Sequence, residues 1–149
     1  MTQAVTIRRL EARDQQRWRE LFDGYLAFYE TTVADDVMAL TWQRLSSGAD
    51  GAHIGLVAVD EHDRPIGLAH VLFHASTWSA TCYCYLEDLF VDPDARKSGV
   101  GRALIEATYA LADSRGATRT YWTTHERNAN ARALYDQMAR WQGFIRYQR

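Results

Sequence analysis

The stretch DPDARKSGVGRALIEA, residues 92–107, spaces Arg96, Gly99 and Gly101 as R-x-x-G-x-G, directly after an apolar run and directly before a helical pattern. Glycine tolerates backbone angles that a Cβ forbids, and the N–H groups of such a turn, with those opening the next helix, converge on an anion. A phosphate group is the natural guest; a tight strand-to-helix turn with an incidental arginine is the alternative. The common nucleotide signatures fit badly: G-x-x-x-x-G-K-[ST] is absent, and G-x-G-x-x-G needs a third glycine where Leu104 stands. Further groups with chemistry to offer flank the motif: Glu87 and Asp88 upstream in YLEDLFVDP, and His125, Asn128 and Tyr135 downstream in HERNANARALYD. His70, His74, Cys82 and Cys84 form a separate set. On paired neighbouring strands they would share a face, which leaves a zinc site as an alternative, although the short paired ligand spacing is missing.

The elements that must position these groups follow from hydrophobic periodicity. A strand is expected over residues 5–10, then a helix over 14–29, where Trp18, Leu21, Phe22, Tyr25, Leu26, Phe28 and Tyr29 recur at helical spacing. A second helix is expected over 35–45. Strands over 52–60 and 65–75 flank the turn-forming EHDR, and a third over 82–91 completes an antiparallel meander. On that last strand simple alternation sends Glu87 and Asp88 to opposite faces. A helix over 101–112, a strand over 118–124, a helix over 128–141 and a closing strand in GFIRYQR follow. The order is β-α-α-β-β-β-α-β-α-β, an α/β (α+β) chain whose glycine motif follows the fourth strand.

Composition narrows the classes. The 149 residues fit one domain, residues 1–149, with no repeat or linker-like tract; 47% are hydrophobic and 24% charged. A net charge of −2 offers no general attraction to nucleic acid or an anionic membrane. No run approaches the ~18 apolar residues of a spanning helix, and MTQAVTIRRLEARD lacks the apolar centre of a signal peptide, so a cytoplasmic setting is expected. Cys82 and Cys84, two apart on a strand, are poorly placed for a disulfide and are expected as thiols.

Taken together, E-D-L-F-V, R-x-x-G-x-G and, after another strand, N-x-x-A-x-x-L-Y (Asn128, Ala131, Leu134, Tyr135) give a sequence that resembles the GCN5-related N-acetyltransferase (GNAT) superfamily. The likeness runs over nearly the whole chain. YWTTHERNANARALYD and the closing GFIRY make it most similar to the small-amine branch, with the polyamine and the yeast histone/polyamine or D-amino-acid acetyltransferases. The resemblance implies a mostly antiparallel twisted sheet whose central strands splay to form an acetyl-CoA cleft. It implies acetyl transfer to a primary amine of a small molecule, by direct attack in a ternary complex. A protein lysine or N-terminus as acceptor, or a silent acyl-CoA-binding module, are the alternatives. No metal is implied, and a family habit of pairing together with the apolar tail favours a homodimer.

The resemblance also assigns residues. Amides of Arg96, Lys97, Ser98, Gly99, Val100 and Gly101, continuing to Arg102, would hold the CoA pyrophosphate; Lys97 stands where a glycine is often found. Main-chain groups along Leu89, Phe90 and Val91 would pair with the pantetheine arm as an added strand. The Leu89 N–H would serve the oxyanion, and Asn128, with Ala131 in its motif, would contact the pantetheine or adjoining backbone. Because an alkyl amine is almost all cationic at neutral pH, a base is needed, and Glu87 is the implied one, directly, through water or relayed by His125. Tyr135 would protonate the departing thiolate. Tyr25 and Tyr29 on the first helix, with Glu30 in the loop after it, would face the acceptor with aromatic rings and a charge. DQMARWQ, standing between Tyr135 and Gly143, implies a longer last helix than is usual there.

Overall fold

In the computed structural model, which describes residues 5–96 and 98–149, four strands lie as antiparallel neighbours and a fifth joins in parallel. These are β1 (Thr6–Arg9), β2 (His53–Val59), β3 (Pro65–His74), β4 (Tyr83–Val91) and β5 (Arg119–Tyr121), in that spatial order. Helix α1 (Gln15–Phe28) buries Trp18, Leu21, Phe22 and Leu26, a stripe at i, i+3, i+4 and i+8 that seats it on one face of the sheet. Beside it, α2 (Asp35–Ser47) starts with Asp35 and Asp36, favourable at a helix N-terminus, and ends at Gly48, whose φ of 60° suits a residue without Cβ. On the opposite face α3 (Val100–Ser114) buries Val100, Leu104, Ile105, Thr108 and Ala112, and α4 (Ala129–Met138) adds half-buried Leu134, Tyr135 and Met138. With helices on both faces, β2 is buried along nearly its whole length.

Two ion pairs tie α1 to the sheet. Arg8 donates to buried Asp14 at 2.7 Å, and Arg17 pairs with Asp92 just past the end of β4.

The expected α/β order is present, with two corrections at its end. Helix α4 stops at Met138, short of the anticipated Trp141, because Ala139 turns to extended angles (φ −151°). DQMARWQ therefore does not make a longer helix. Residues 139–149 form no strand, and Phe144, Ile145 and Tyr147 are 87%, 74% and 87% exposed. A strand needs a ladder to satisfy its backbone, and β5, three residues long, is paired only with β4 among the described residues.

Two irregularities in the sheet prepare a site. β4 and β5 pair only at Tyr83, Cys84 and Tyr85, opposite Arg119, Thr120 and Tyr121, so from Leu86 onward β4 has an open edge. In the β3–β4 ladder, Val71 stands opposite Leu86 and His70 opposite Asp88, leaving Glu87 as the extra residue of a β-bulge.

Candidate active site

The open edge of β4 has a readable direction. Past the strand end the Asp92 N–H donates to the Ile66 carbonyl at 2.8 Å, so by antiparallel alternation the main-chain groups of Phe90 and Asp88 also face β3. Those of Leu89 and Val91 face the gap left by β5. The Val91 carbonyl there accepts from Arg96 Nε at 3.3 Å. Phe90 is a correction: its main chain is turned to β3 and its ring is packed in the α1 cluster, so it presents neither to the gap.

The glycine motif opens directly beside this edge. Gly99 is the N-cap of α3 at φ 81°, and no side chain caps the helix. The first intrahelical bond runs from Ala103 N–H to the Gly99 carbonyl at 3.0 Å, which leaves the amides of Val100, Gly101 and Arg102 outside the helical ladder. A Cβ on Gly101 would lie 3.2 Å from Leu134, so glycine lets α4 approach the start of α3. The Ser98 hydroxyl closes the turn on the Ala95 carbonyl, and Arg102 bonds the Gln137 side chain of α4. Lys97 lies outside the described residues. Uncapped amides at a helix N-terminus with an arginine alongside suit a pyrophosphate, and an open strand edge suits an amide-bearing arm. Asn128 is the N-cap of α4, but its side chain donates to Thr124 Oγ1 at 3.1 Å instead of capping, which braces the β5–α4 loop. Ala131 follows, half-buried, on α4.

On the α1 side of the gap stand two carboxylates. The bulge breaks the alternation expected for Asp88, which shares a face with His70 across the ladder and accepts from its Nδ1 at 2.8 Å. This residue, together with His70 and Trp18 behind it, is what the sequence pattern missed. Glu87 reaches solvent, yet desolvation pushes its carboxyl above the ordinary value, with Asp88 adding to the rise and His70 and Arg146 opposing it. Burial likewise pushes the Tyr25 phenol far up, helped by the charge of Asp88. The Tyr25 and Tyr29 rings are 4.9 Å apart, and Tyr85 and Tyr121, 4.7 Å apart, continue the aromatic wall. Burial raises the Tyr121 phenol too, with Tyr85 and Glu87 contributing.

Tyr135 lies edge-on to Trp122 at 5.4 Å, and burial pushes its phenol up to about 12, with Tyr29 as the second cause. Tyr29, just past the end of α1, is thus within electrostatic reach of the α4 tyrosine. Glu30 lies just beyond α1, exposed and at φ 55°. His125 is exposed, and its Nδ1 accepts the Arg127 N–H at 3.1 Å, closing a local turn. The four candidate zinc ligands do not converge: His70 is engaged by Asp88, His74 bonds the Tyr121 hydroxyl at 2.7 Å, and Cys84 sits opposite Phe73 in the α3-face core. Among the described residues no group of three or more His, Cys, Asp or Glu is placed to hold a metal.

Known proteins share both the sequence and the arrangement. D-amino-acid N-acetyltransferase HPA3 of Saccharomyces cerevisiae is 33% identical over 135 residues, covering 91% of this chain and 84% of that protein. Thialysine N-epsilon-acetyltransferase of Caenorhabditis elegans is 35% identical over 74 residues, 50% of this chain and 46% of its own length. The structure of AAC(6')-Iy in complex with the bisubstrate analogue CoA-S-monomethyl-acetylneamine superposes with a TM-score of 0.83 at 17% identity, over 99% of this chain and 98% of that one. Residues 16–140 match the acetyltransferase (GNAT) family, so the open β4 edge and the glycine turn belong to a member of that family, and the chain is an acyltransferase.

Proposed function

We propose that the protein moves an acetyl group from acetyl-CoA to the primary amine of a small cationic molecule, a polyamine or an amino acid, within a ternary complex. The observation that carries this is the β-bulge that sets Glu87 and Asp88 side by side at the gap, within an aromatic wall. A cation is favoured by both kinds of group. The relatives named for D-amino acids and thialysine support an amine of this size.

Acetyl-CoA supplies the acyl group as a thioester. The amides of Val100, Gly101 and Arg102, which bond no carbonyl among the described residues, bind its pyrophosphate, and Leu89 and Val91 offer main-chain groups to the pantetheine amides. The Leu89 N–H, on the open edge, donates to the thioester oxygen as charge builds there. Glu87 takes a proton from the ammonium, directly or through water; a carboxyl raised from its ordinary value is a stronger base for that step. The freed amine forms its C–N bond to the thioester carbon and the C–S bond breaks; Tyr135, which holds its proton at any working pH, delivers it to the departing sulfur, and the second nitrogen proton returns to the phenolate through water. His125 and Glu30 contribute at the rim. The exposed apolar Phe144, Ile145 and Tyr147 suit a homodimer, which light scattering tests.

The experiment is CoA release with acetyl-CoA over a panel of polyamines, amino acids of both hands, thialysine, aminoglycosides and a lysine peptide. Turnover is expected with small cationic amines and is expected to collapse in Glu87→Gln. A protein that binds acetyl-CoA yet acetylates nothing on the panel refutes the reading, and a preference for the peptide moves it to a protein acceptor.

A further inference from the structure

Behind the two carboxylates runs a buried line of hydrogen bonds that the transfer steps do not use. Trp18 Nε1 lies 2.9 Å from His70 Nε2, and His70 Nδ1 lies 2.8 Å from Asp88 Oδ2. Trp18 and His70 are 1% and 2% exposed, so neither ring reaches substrate. The direction of the line is fixed by chemistry. An indole N–H only donates, so Nε2 accepts, the one ring proton sits on Nδ1, and that N–H donates to Asp88. The imidazole is clamped from the side as well, with Phe22 edge-on at 4.8 Å. Asp88 therefore receives an N–H from a ring packed between Trp18 and Phe22.

A carboxylate held in this way contrasts with its neighbour. Glu87 is the extra residue of the bulge, and no side-chain donor bonds it among the described residues. Two acids in unlike surroundings can divide binding and proton transfer between them. We infer that Trp18 and His70 are positioning residues for the acceptor: they fix the Asp88 carboxylate beside Glu87, where it holds the substrate ammonium while Glu87 takes the proton. This rests on the amine-acetylation reading above. A histidine serving only the core would owe its place to packing, and its loss would lower stability without singling out the amine.

The test separates these cases with spermidine and thialysine as acceptor probes. His70→Leu removes the donor, whereas His70→Asn keeps an amide N–H near the place of Nδ1–H. The amine KM is expected to rise tenfold or more in His70→Leu and in Asp88→Asn, with the acetyl-CoA KM unchanged within twofold and most of the loss recovered in His70→Asn. Asp88, near the surface of the cleft, gives a variant whose folding does not depend on refilling the core. Unchanged amine KM values, equal rises for both substrates, or equal impairment of the Asn and Leu variants overturn the inference. A readout independent of turnover is the ring's long-range 1H–15N spectrum at neutral pH, expected to show a protonated Nδ1 and a bare Nε2; the opposite tautomer overturns it. A wild type without amine turnover refutes the transfer reading itself, whereas active wild type with indifferent variants refutes only the positioning role.

Discussion

Replacing Tyr135 by phenylalanine separates packing from chemistry, since the ring stays and one hydroxyl goes. The ring meets Trp122 edge-on at 5.4 Å, and the hydroxyl takes no hydrogen bond among the described residues. Stability should thus stay within about 0.5 kcal/mol of wild type by urea melt, as for a substitution that breaks no partnered group. Catalysis should not. With the phenol at about 12 and a free thiol near ~8.5, donation to a fully solvated thiolate would be uphill by about 5 kcal/mol, at ~1.36 kcal/mol per pH unit. The burial that raises the phenol also acts on a thiolate forming in the same gap, so the difference narrows where the bond breaks. A positioned acid is worth about 10²-fold or more, and kcat should fall by that amount while acetyl-CoA affinity by calorimetry is kept. The deficit should shrink with an acetyl thioester of a more acidic thiol, whose anion leaves without help. Because the phenol keeps its proton up to about 12, the wild-type rate should show no Tyr135-dependent decline between pH 8 and about 10. Normal kcat in the variant, or an equal deficit with both donors, would refute the role.

Glu87→Gln should abolish the acidic limb of kcat/KM. Since burial raises this carboxyl, its share of stability is present below the ordinary value and lost as pH rises through the folded one. The variant should therefore melt higher than wild type at pH 7, with the gap closing below about pH 4. Gly99→Val has room for its side chain but not for φ 81°, so the fold should persist while acetyl-CoA binds at least tenfold more weakly, about 1.4 kcal/mol by calorimetry. Gly101→Val presses on Leu134 and should in addition lose about 1–3 kcal/mol of stability in urea. Asp14→Asn takes the buried charge from Arg8, which keeps its pairing with Asp63, and should cost about 1–3 kcal/mol with acetyl-CoA affinity unchanged. Burial acts to raise the Asp14 carboxyl, but Arg8 and the Glu11 amide outweigh it and hold it low. That stabilisation is present above the ordinary carboxylate value and is lost as pH falls through the lowered one, a loss the Asn variant should not show.

Residues that act through local geometry were legible in the sequence. The stripe Trp18, Leu21, Phe22, Leu26 made α1 readable, and Gly99 could be read because its left-handed turn is a demand on one residue. Tyr135 and Glu87 are singled out by their motif frames; Glu87 is the extra residue of the β4 bulge and Tyr135 packs half-buried against Trp122. Phe90 and the closing strand were not legible, because each depends on a ladder partner. Which of Leu89 and Phe90 faces the gap is decided by the pairing of Asp92 with Ile66, and GFIRYQR has the composition of a strand but pairs with no strand among the described residues.

Asp88 was misread for a more specific reason. Side-chain direction along a strand is a parity, and a single bulge inverts it without leaving a mark in composition. Opposite residues share a face: Tyr83 with His74, Tyr85 with Leu72, Asp88 with His70, Phe90 with Leu68. Odd positions before the bulge and even positions after it thus lie on the α1 face. In a regular strand, alternation would put one pair or the other against α3. If Tyr83 and Tyr85 kept their places, Asp88 would leave His70 and Phe90 would leave the α1 core. If Asp88 and Phe90 kept theirs, Tyr85 would leave Tyr121. The extra residue resolves the conflict, and it is Glu87, an exposed side chain outside both core clusters, which is why the proposed mechanism can give it to the substrate.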